Sequence, residues 1–232
     1  MAASGQSQPP PPLPPGPLIS RAPDPGQWLV SIKSGSPSTD PAPAPDPRAK
    51  YDQRMLVRKS GAIRSEVLVD GSGQRLLDKW FAGGTEVTVY PGQKDPVITM
   101  PGATIEPEGH ADTNFTDYSK SDFPGFEWLT FQKYTGIQIC SGIPCIVFHD
   151  GPADTASPAA GAAAPPVPVT GRTAYIDVKS RLPVRLQVDD VATYYQWYQA
   201  PATPLTLPPA VQTVLANLQA NARRAAQAPA AP

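Results

Sequence analysis

Cysteine and histidine are nearly missing from this chain, with two of each in 232 residues. A structural zinc site draws four ligands from Cys and His at short spacing; Cys140, Cys145 and His149 fall one short, so no metal is expected. Cys140-x4-Cys145 also lacks the two-residue spacing of a dithiol oxidoreductase. Histidine acid–base chemistry has only His110 and His149 to draw on, and neither stands in a motif. The carboxylate pairs Asp189–Asp190 and Glu106/Glu108 sit in turn or loop sequence, where solvated charge is the ordinary explanation. No glycine-rich phosphate cradle leads from a strand into a helix. The sequence therefore nominates no catalytic residue and no cofactor, and a non-enzyme is expected.

A charge of one dominant sign is also lacking. Nineteen Lys and Arg against 20 Asp and Glu leave a net charge of -1, with the signs interspersed and no field to gather nucleic acid or anionic lipid. No apolar run approaches the roughly 20 residues of a membrane-spanning helix, so no transmembrane segment is expected. The first residues have neither the basic start nor the apolar core of a signal peptide.

What the chain has in excess is proline, 32 residues. Fourteen precede Arg48, five lie between Pro152 and Pro168, and six follow Gln199. Those stretches cannot build packed sheet. Residues 1–26 read as a disordered, proline-rich arm favouring extended polyproline helix; a tether is the expected role, with a ligand for a partner's aromatic groove as the alternative. Residues 27–199 read as a single antiparallel β domain, with Pro/Ala-rich insertions near 34–50 and 152–170. Residues 200–232 read as linker, helix and disordered tail.

Between the proline-rich stretches the hydrophobic period is two. Trp28, Val30 and Ile32 point to one side of a first strand. The runs 54–59, 62–69, 74–81, 85–90 and 96–100 then follow across glycine-bearing turns, too tightly linked for helical crossovers. Further strands are expected at 129–134, 136–140, 145–150, 173–178, 183–188 and 191–198. The fold class is mainly β: a curved antiparallel sheet of about ten strands with proline-rich disordered arms. After Pro208-Pro209, Val211, Val214, Leu215, Leu218 and Ala222 fall at helical spacing and predict a C-terminal amphipathic helix. Its apolar stripe is too weak to stand alone in water and must dock.

Cys140 and Cys145 bracket Ser141-Gly142-Ile143-Pro144 between two apolar runs. A hairpin with a four-residue loop would bring them within disulfide reach. Such a bond persists in oxidising compartments, so an extracytoplasmic location, periplasm or cell envelope, is expected, with any export signal absent from the given chain. Two reduced thiols in the cytoplasm are the alternative. Among the aromatic residues, Trp80, Phe131, Tyr175, Tyr195 and Trp197 are the candidates for an apolar ligand-binding face, because one short helix cannot cover ten strands. Core packing is the alternative for each.

Phe123-Pro124-Gly125-Phe126-Glu127-Trp128, Tyr134-Thr135-Gly136, Gly142-Ile143-Pro144-Cys145-Ile146-Val147-Phe148 and Ala174-Tyr175-Ile176-Asp177-Val178-x-x-Arg181-Leu182-Pro183-Val184 resemble segments of uncharacterised bacterial envelope proteins of the lipoprotein-carrier (LolA/LolB-like) type. The resemblance touches residues 27–198 in short pieces. It implies an open half-barrel that holds a lipid, a lipoprotein acyl chain or another apolar group against its concave face. The chain departs from the pattern by opening with proline-rich coil where carriers open with a helix, and no ligand-contacting residue of the family matches a position here. Two functions follow as expectations: an extracytoplasmic apolar-ligand binding protein, or a non-catalytic envelope interaction module with a fully packed sheet.

Overall fold

The computed structural model describes residues 10–34, 52–100, 122–151 and 171–227. The predicted insertions at 34–50 and 152–170 fall almost wholly outside these residues, as do His110, Glu106, Glu108 and the two chain ends. The fold is mainly β. Eleven strands join one antiparallel sheet in the order β6-β5-β4-β3-β2-β1-β11-β10-β9-β8-β7, leaving β6 and β7 at its two ends. They are β1(Gly26–Ser34), β2(Gln53–Ser60), β3(Ile63–Asp70), β4(Arg75–Ala82), β5(Thr85–Val89), β6(Val97–Met100), β7(Tyr134–Cys140), β8(Ile143–Asp150), β9(Arg172–Asp177), β10(Pro183–Val188) and β11(Val191–Tyr198). A helix, α1(Pro209–Gln227), follows.

The chain divides into two compact units. Unit 1 is Met1–Ala22, Ile32–Asp46 and Ala111–Tyr195; unit 2 is Pro23–Ser31, Pro47–His110 and Gln196–Pro232.

In unit 2 the meander β2 to β6 is made by short hairpins. Gly83 and Gly84 both take positive φ, 55° and 74°, the requirement of a two-residue turn whose twist matches its strands. The β3–β4 turn is tied by Asp70, whose Oδ1 accepts from Ser72 N, Ser72 Oγ and Gln74 N. Those bonds hold the Asp70 carboxyl below its ordinary range. Register sets Arg64 opposite Phe81, Glu66 opposite Lys79 and Ser65 opposite Trp80. Strand alternation then puts Arg64, Glu66, Lys79, Glu86 and Thr88 on one face. Four of these are buried and satisfied in pairs: Arg64 Nη2 to Glu66 at 2.6 Å, Lys79 Nζ to Glu86 at 3.1 Å, and Thr99 Oγ1 to Glu86 at 2.8 Å. The Arg64 guanidinium also lies 5.7 Å from the ring centres of Trp28 and Phe81.

In unit 1, β7 to β11 form a second antiparallel run. Its apolar face carries Ile146, Phe148, Ala174, Ile176 and Leu186, all buried. It is covered by the segment from Phe123 to Leu129. Phe123 and Phe126 are almost fully buried, and both meet the Tyr195 ring edge-on at 6.1 and 5.8 Å. Gly125 takes φ +94°, which strains any L side chain, and a Cβ there would stand 3.0 Å from Leu186 Cδ2, which would have to shift. The strand expected at 129–134 is not formed; Phe131–Lys133 makes a turn of 3-10 helix leading into β7.

The N-terminal arm also departs from expectation. From Pro10 onward it is ordered, with Leu18, Ile19 and Ala22 buried. Ser20 N donates to Arg181 O at 2.8 Å and Ala22 N to Asp122 Oδ2 at 3.0 Å. Three apolar side chains punctuate the prolines, enough to anchor a segment whose composition alone reads as coil.

Candidate functional site

Proline at the first position of α1 fixes the helical φ where no donor is needed, and Gln212 N closes the first turn on Pro208 O at 3.0 Å. Val211 of the predicted stripe is fully buried, so the helix is docked in cis. Beyond Val211 the contact is looser. A cavity of about 330 Å³ lies between the helix and the β4–β5 hairpin, walled by Leu207, Leu215 and Leu218 on one side and Ala82, Gly83 and Thr85 on the other. Gln212 and Gln219 add polar groups to its lining. That volume is at the small end of the roughly 300–1,000 Å³ of ligand pockets. Its lining combines three leucines with two amides and the Thr85 hydroxyl.

Within each unit, strand parity sets the aromatic candidates on different faces. In unit 2, Trp197 stacks on buried Trp28 with ring centres 5.2 Å apart, and Trp28 meets Arg64. Trp80 pairs with Ser65, the neighbour of Arg64 on β3, and so points to the opposite face. Trp80 is half-buried and its Nε1 is enclosed with no hydrogen-bond partner. In unit 1, Tyr175 lies opposite Arg185, which lies opposite Tyr194. The Arg185 guanidinium rests 5.6 Å from the Tyr175 ring centre and 5.4 Å from that of Tyr194. Tyr195, one residue on, faces the other way into the phenylalanine core. Phe131, on the 3-10 turn, is 61% exposed. Hydrophobicity nominated these residues, whereas strand parity separates them.

The cysteine hairpin is tighter than the sequence reading. Ser141 and Gly142 alone make the turn, both at positive φ, so Cys140 pairs with Ile143 and Cys145 with Gln138. The two cysteines are diagonal neighbours across the hairpin, near enough that Cys140 acts on the Cys145 thiol. The expected disulfide is not formed; both are free, buried thiols. They pack with Val184 and Tyr175. Burial, then the neighbouring Cys140 and the charge of Asp177, push the Cys145 thiol up to about 12, so it is a poor nucleophile at neutral pH.

The remaining charged groups of unit 1 are built into structure. Asp150 accepts from Lys133 Nζ and Arg172 Nη2, each at 2.5 Å, and these bonds lower its carboxyl pKa. Arg172 lies over the Trp128 ring at 5.2 Å. His149 Nδ1 meets Thr173 Oγ1 at 3.0 Å, while its buried Nε2 has no partner. Among the described residues no group of three or more His, Cys, Asp or Glu gathers to hold a metal. The cavity residues Leu207, Leu215, Leu218, Ala82, Gly83 and Thr85 were not singled out as a site from the sequence. The signal was the helical stripe, but nothing in the chain says which hairpin it docks on.

No helix among the described residues is long and apolar enough to cross a membrane. No protein-family model matches the chain and no curated protein matches it. Among solved structures it is similar to a LolA superfamily protein from Nitrosomonas europaea, at 11% identity and a TM-score of 0.31, over 81% of this chain and 90% of that one.

Proposed function

We propose that this protein is an extracytoplasmic binding protein that holds a lipid, an acyl chain or another apolar ligand, without catalysis. The observation that carries the reading is the cavity beneath α1, with Leu207, Leu215 and Leu218 on the helix side and in the size range of ligand pockets. Burying an alkyl chain there is worth about 0.8 kcal/mol per methylene, so affinity needs no charged contact. The cavity replaces the aromatic face as the proposed seat of the ligand, and the half-buried Trp80 is available as a reporter in the same unit. The periplasm or cell envelope belongs to the reading through the resemblance of the sequence segments to envelope lipoprotein carriers; fractionation of the native host tests that part. Titration with a fluorescent fatty acid, followed by displacement with unlabelled chains of increasing length, tests binding. Saturable binding that Leu215→Trp reduces tenfold or more is expected, and binding unaffected by that substitution removes the cavity from the account.

A second reading is favoured by a different observation. Tyr195 sits against Phe123 and Phe126 and Trp197 on Trp28, as expected of an interaction module whose sheet is fully packed. It predicts no saturable apolar ligand at all.

A further inference from the structure

A proline-rich segment offers a partner almost no backbone donors, because proline has no N–H; it can be recognised through its carbonyls and its ring faces. The segment Pro11-Pro12-Leu13-Pro14-Pro15 meets unit 1 in this way. Tyr134 Oη donates to Pro11 O at 2.9 Å. Arg181 Nη2 donates to Pro14 O at 2.9 Å and to Pro15 O at 2.7 Å. Pro11 and Pro14 are three residues apart, one turn of a polyproline helix at about 3.1 Å rise per residue, so their carbonyls fall on one side, facing two donor side chains. Gly136 brings backbone against Pro10, where an added Cβ would stand 3.8 Å from the Pro10 Cβ. At Gly16 the approach is closer still, with the site of a Cβ 3.3 Å from Arg181 Nη2.

Arg181 is prepared for this role. It takes φ +61°, its N donates to Asp177 O at 2.9 Å, and its O accepts from Ser20 N at 2.8 Å. With the segment in place the residue is only 6% exposed, and the Pro14 and Pro15 carbonyls are the two acceptors that its Nη2 finds there. Its Nη1 is already enclosed with no partner. A guanidinium on a rigid turn and an aromatic hydroxyl one polyproline turn away thus engage the carbonyls, the polar groups that a proline-rich segment still offers. We infer that unit 1 carries a binding surface for a P-x-x-P polyproline segment, built from Arg181, Tyr134 and Gly136, and that its occupant is the chain's own residues 10–17. Leu18 and Ile19, both 2% exposed, anchor the occupant beyond the prolines. The arm is thus an intramolecular ligand. This surface is separate from the apolar cavity and does not depend on it.

The test uses the full chain and a labelled 12-residue peptide with the sequence of residues 9–20, followed by fluorescence anisotropy. The tethered arm competes at an effective concentration on the order of millimolar, so the wild-type chain should take up the peptide only at millimolar concentrations. The double variant Leu18→Asp/Ile19→Asp, whose own arm is released, should bind it at least tenfold more tightly. Adding Arg181→Ala should weaken that binding tenfold or more, as should replacing the peptide residues that correspond to Pro11 and Pro14 by alanine. Equal affinity of wild type and released variant, or indifference to Arg181→Ala, overturns the inference. Hydrogen exchange on the wild-type chain needs no variant to fold. Millimolar peptide should accelerate exchange at the Ser20 and Ala22 amides, and unchanged protection there also overturns it.

Discussion

Replacing Arg64 by methionine should cost about 3 kcal/mol, most of it returned by a second substitution. Arg64 and Glu66 side chains are 9% and 10% exposed and joined at 2.6 Å. Methionine removes the cation but leaves the buried carboxylate, and breaking a buried pair typically costs about 3–5 kcal/mol. The lower end applies because Lys79 stands opposite Glu66 in register and remains to offset its charge. Contacts of the guanidinium with Trp28 and Phe81, worth about 0.5–2 kcal/mol each, are partly recovered by the methionine side chain. With a urea m-value of about 2 kcal/mol per molar, the midpoint should fall by about 1.5 M. Arg64→Met/Glu66→Leu removes both charges and should lie within about 0.5 M of the wild type, since apolar replacement of a whole buried pair is often neutral. Equilibrium urea unfolding followed by tryptophan fluorescence is the assay. A double variant as unstable as the two single losses added together would refute the claim that the desolvated partner, and not the pair itself, carries the cost.

Asp177 is opposed by burial but held by Ser180 Oγ and the N–H groups of Lys179 and Ser180, with a net pKa below 3.8. A folded-state pKa below the unfolded one gives stability that is present above about 3.8 and lost as pH falls through the lower folded value. Asp177→Asn should therefore flatten the stability profile below pH 4 while costing stability at pH 7; an unchanged acid limb contradicts it. Cys140 and Cys145 should resist iodoacetamide in the native chain and both label in urea without reductant, as intact mass will show; no label in urea would mean that they are joined after all. Leu218→Ala widens the cavity wall and should destabilise by less than the 2–5 kcal/mol typical of buried Leu→Ala, since one side already faces open space.

Much of the fold was legible because strand alternation is a local property. Trp28, Val30 and Ile32 mark β1, and paired glycines such as Gly83-Gly84 mark turns that the register then fixes. Leu129–Tyr134 was misread because apolar content without alternation does not separate a strand from a 3-10 turn. The arm was misread because Leu18 and Ile19 are two residues in a proline-rich run, and their burial depends on Arg181 and Asp122, more than a hundred residues away. The cysteine pair failed on a two-residue count, the difference between a loop that includes Ile143-Pro144 and one that ends at Gly142. The candidate site was least legible. Which aromatic rings share a wall depends on parity across several strands, and the cavity depends on where the helix docks; neither is written in any one segment.

The most direct test of the proposed function is solvent extraction and mass spectrometry of the chain purified from its native host, wild type beside Leu215→Trp. A stoichiometric apolar molecule on the wild type that the variant lacks is the predicted result. A wild-type protein that carries no such molecule, and takes up no fatty acid on addition, contradicts it and leaves the packed interaction module.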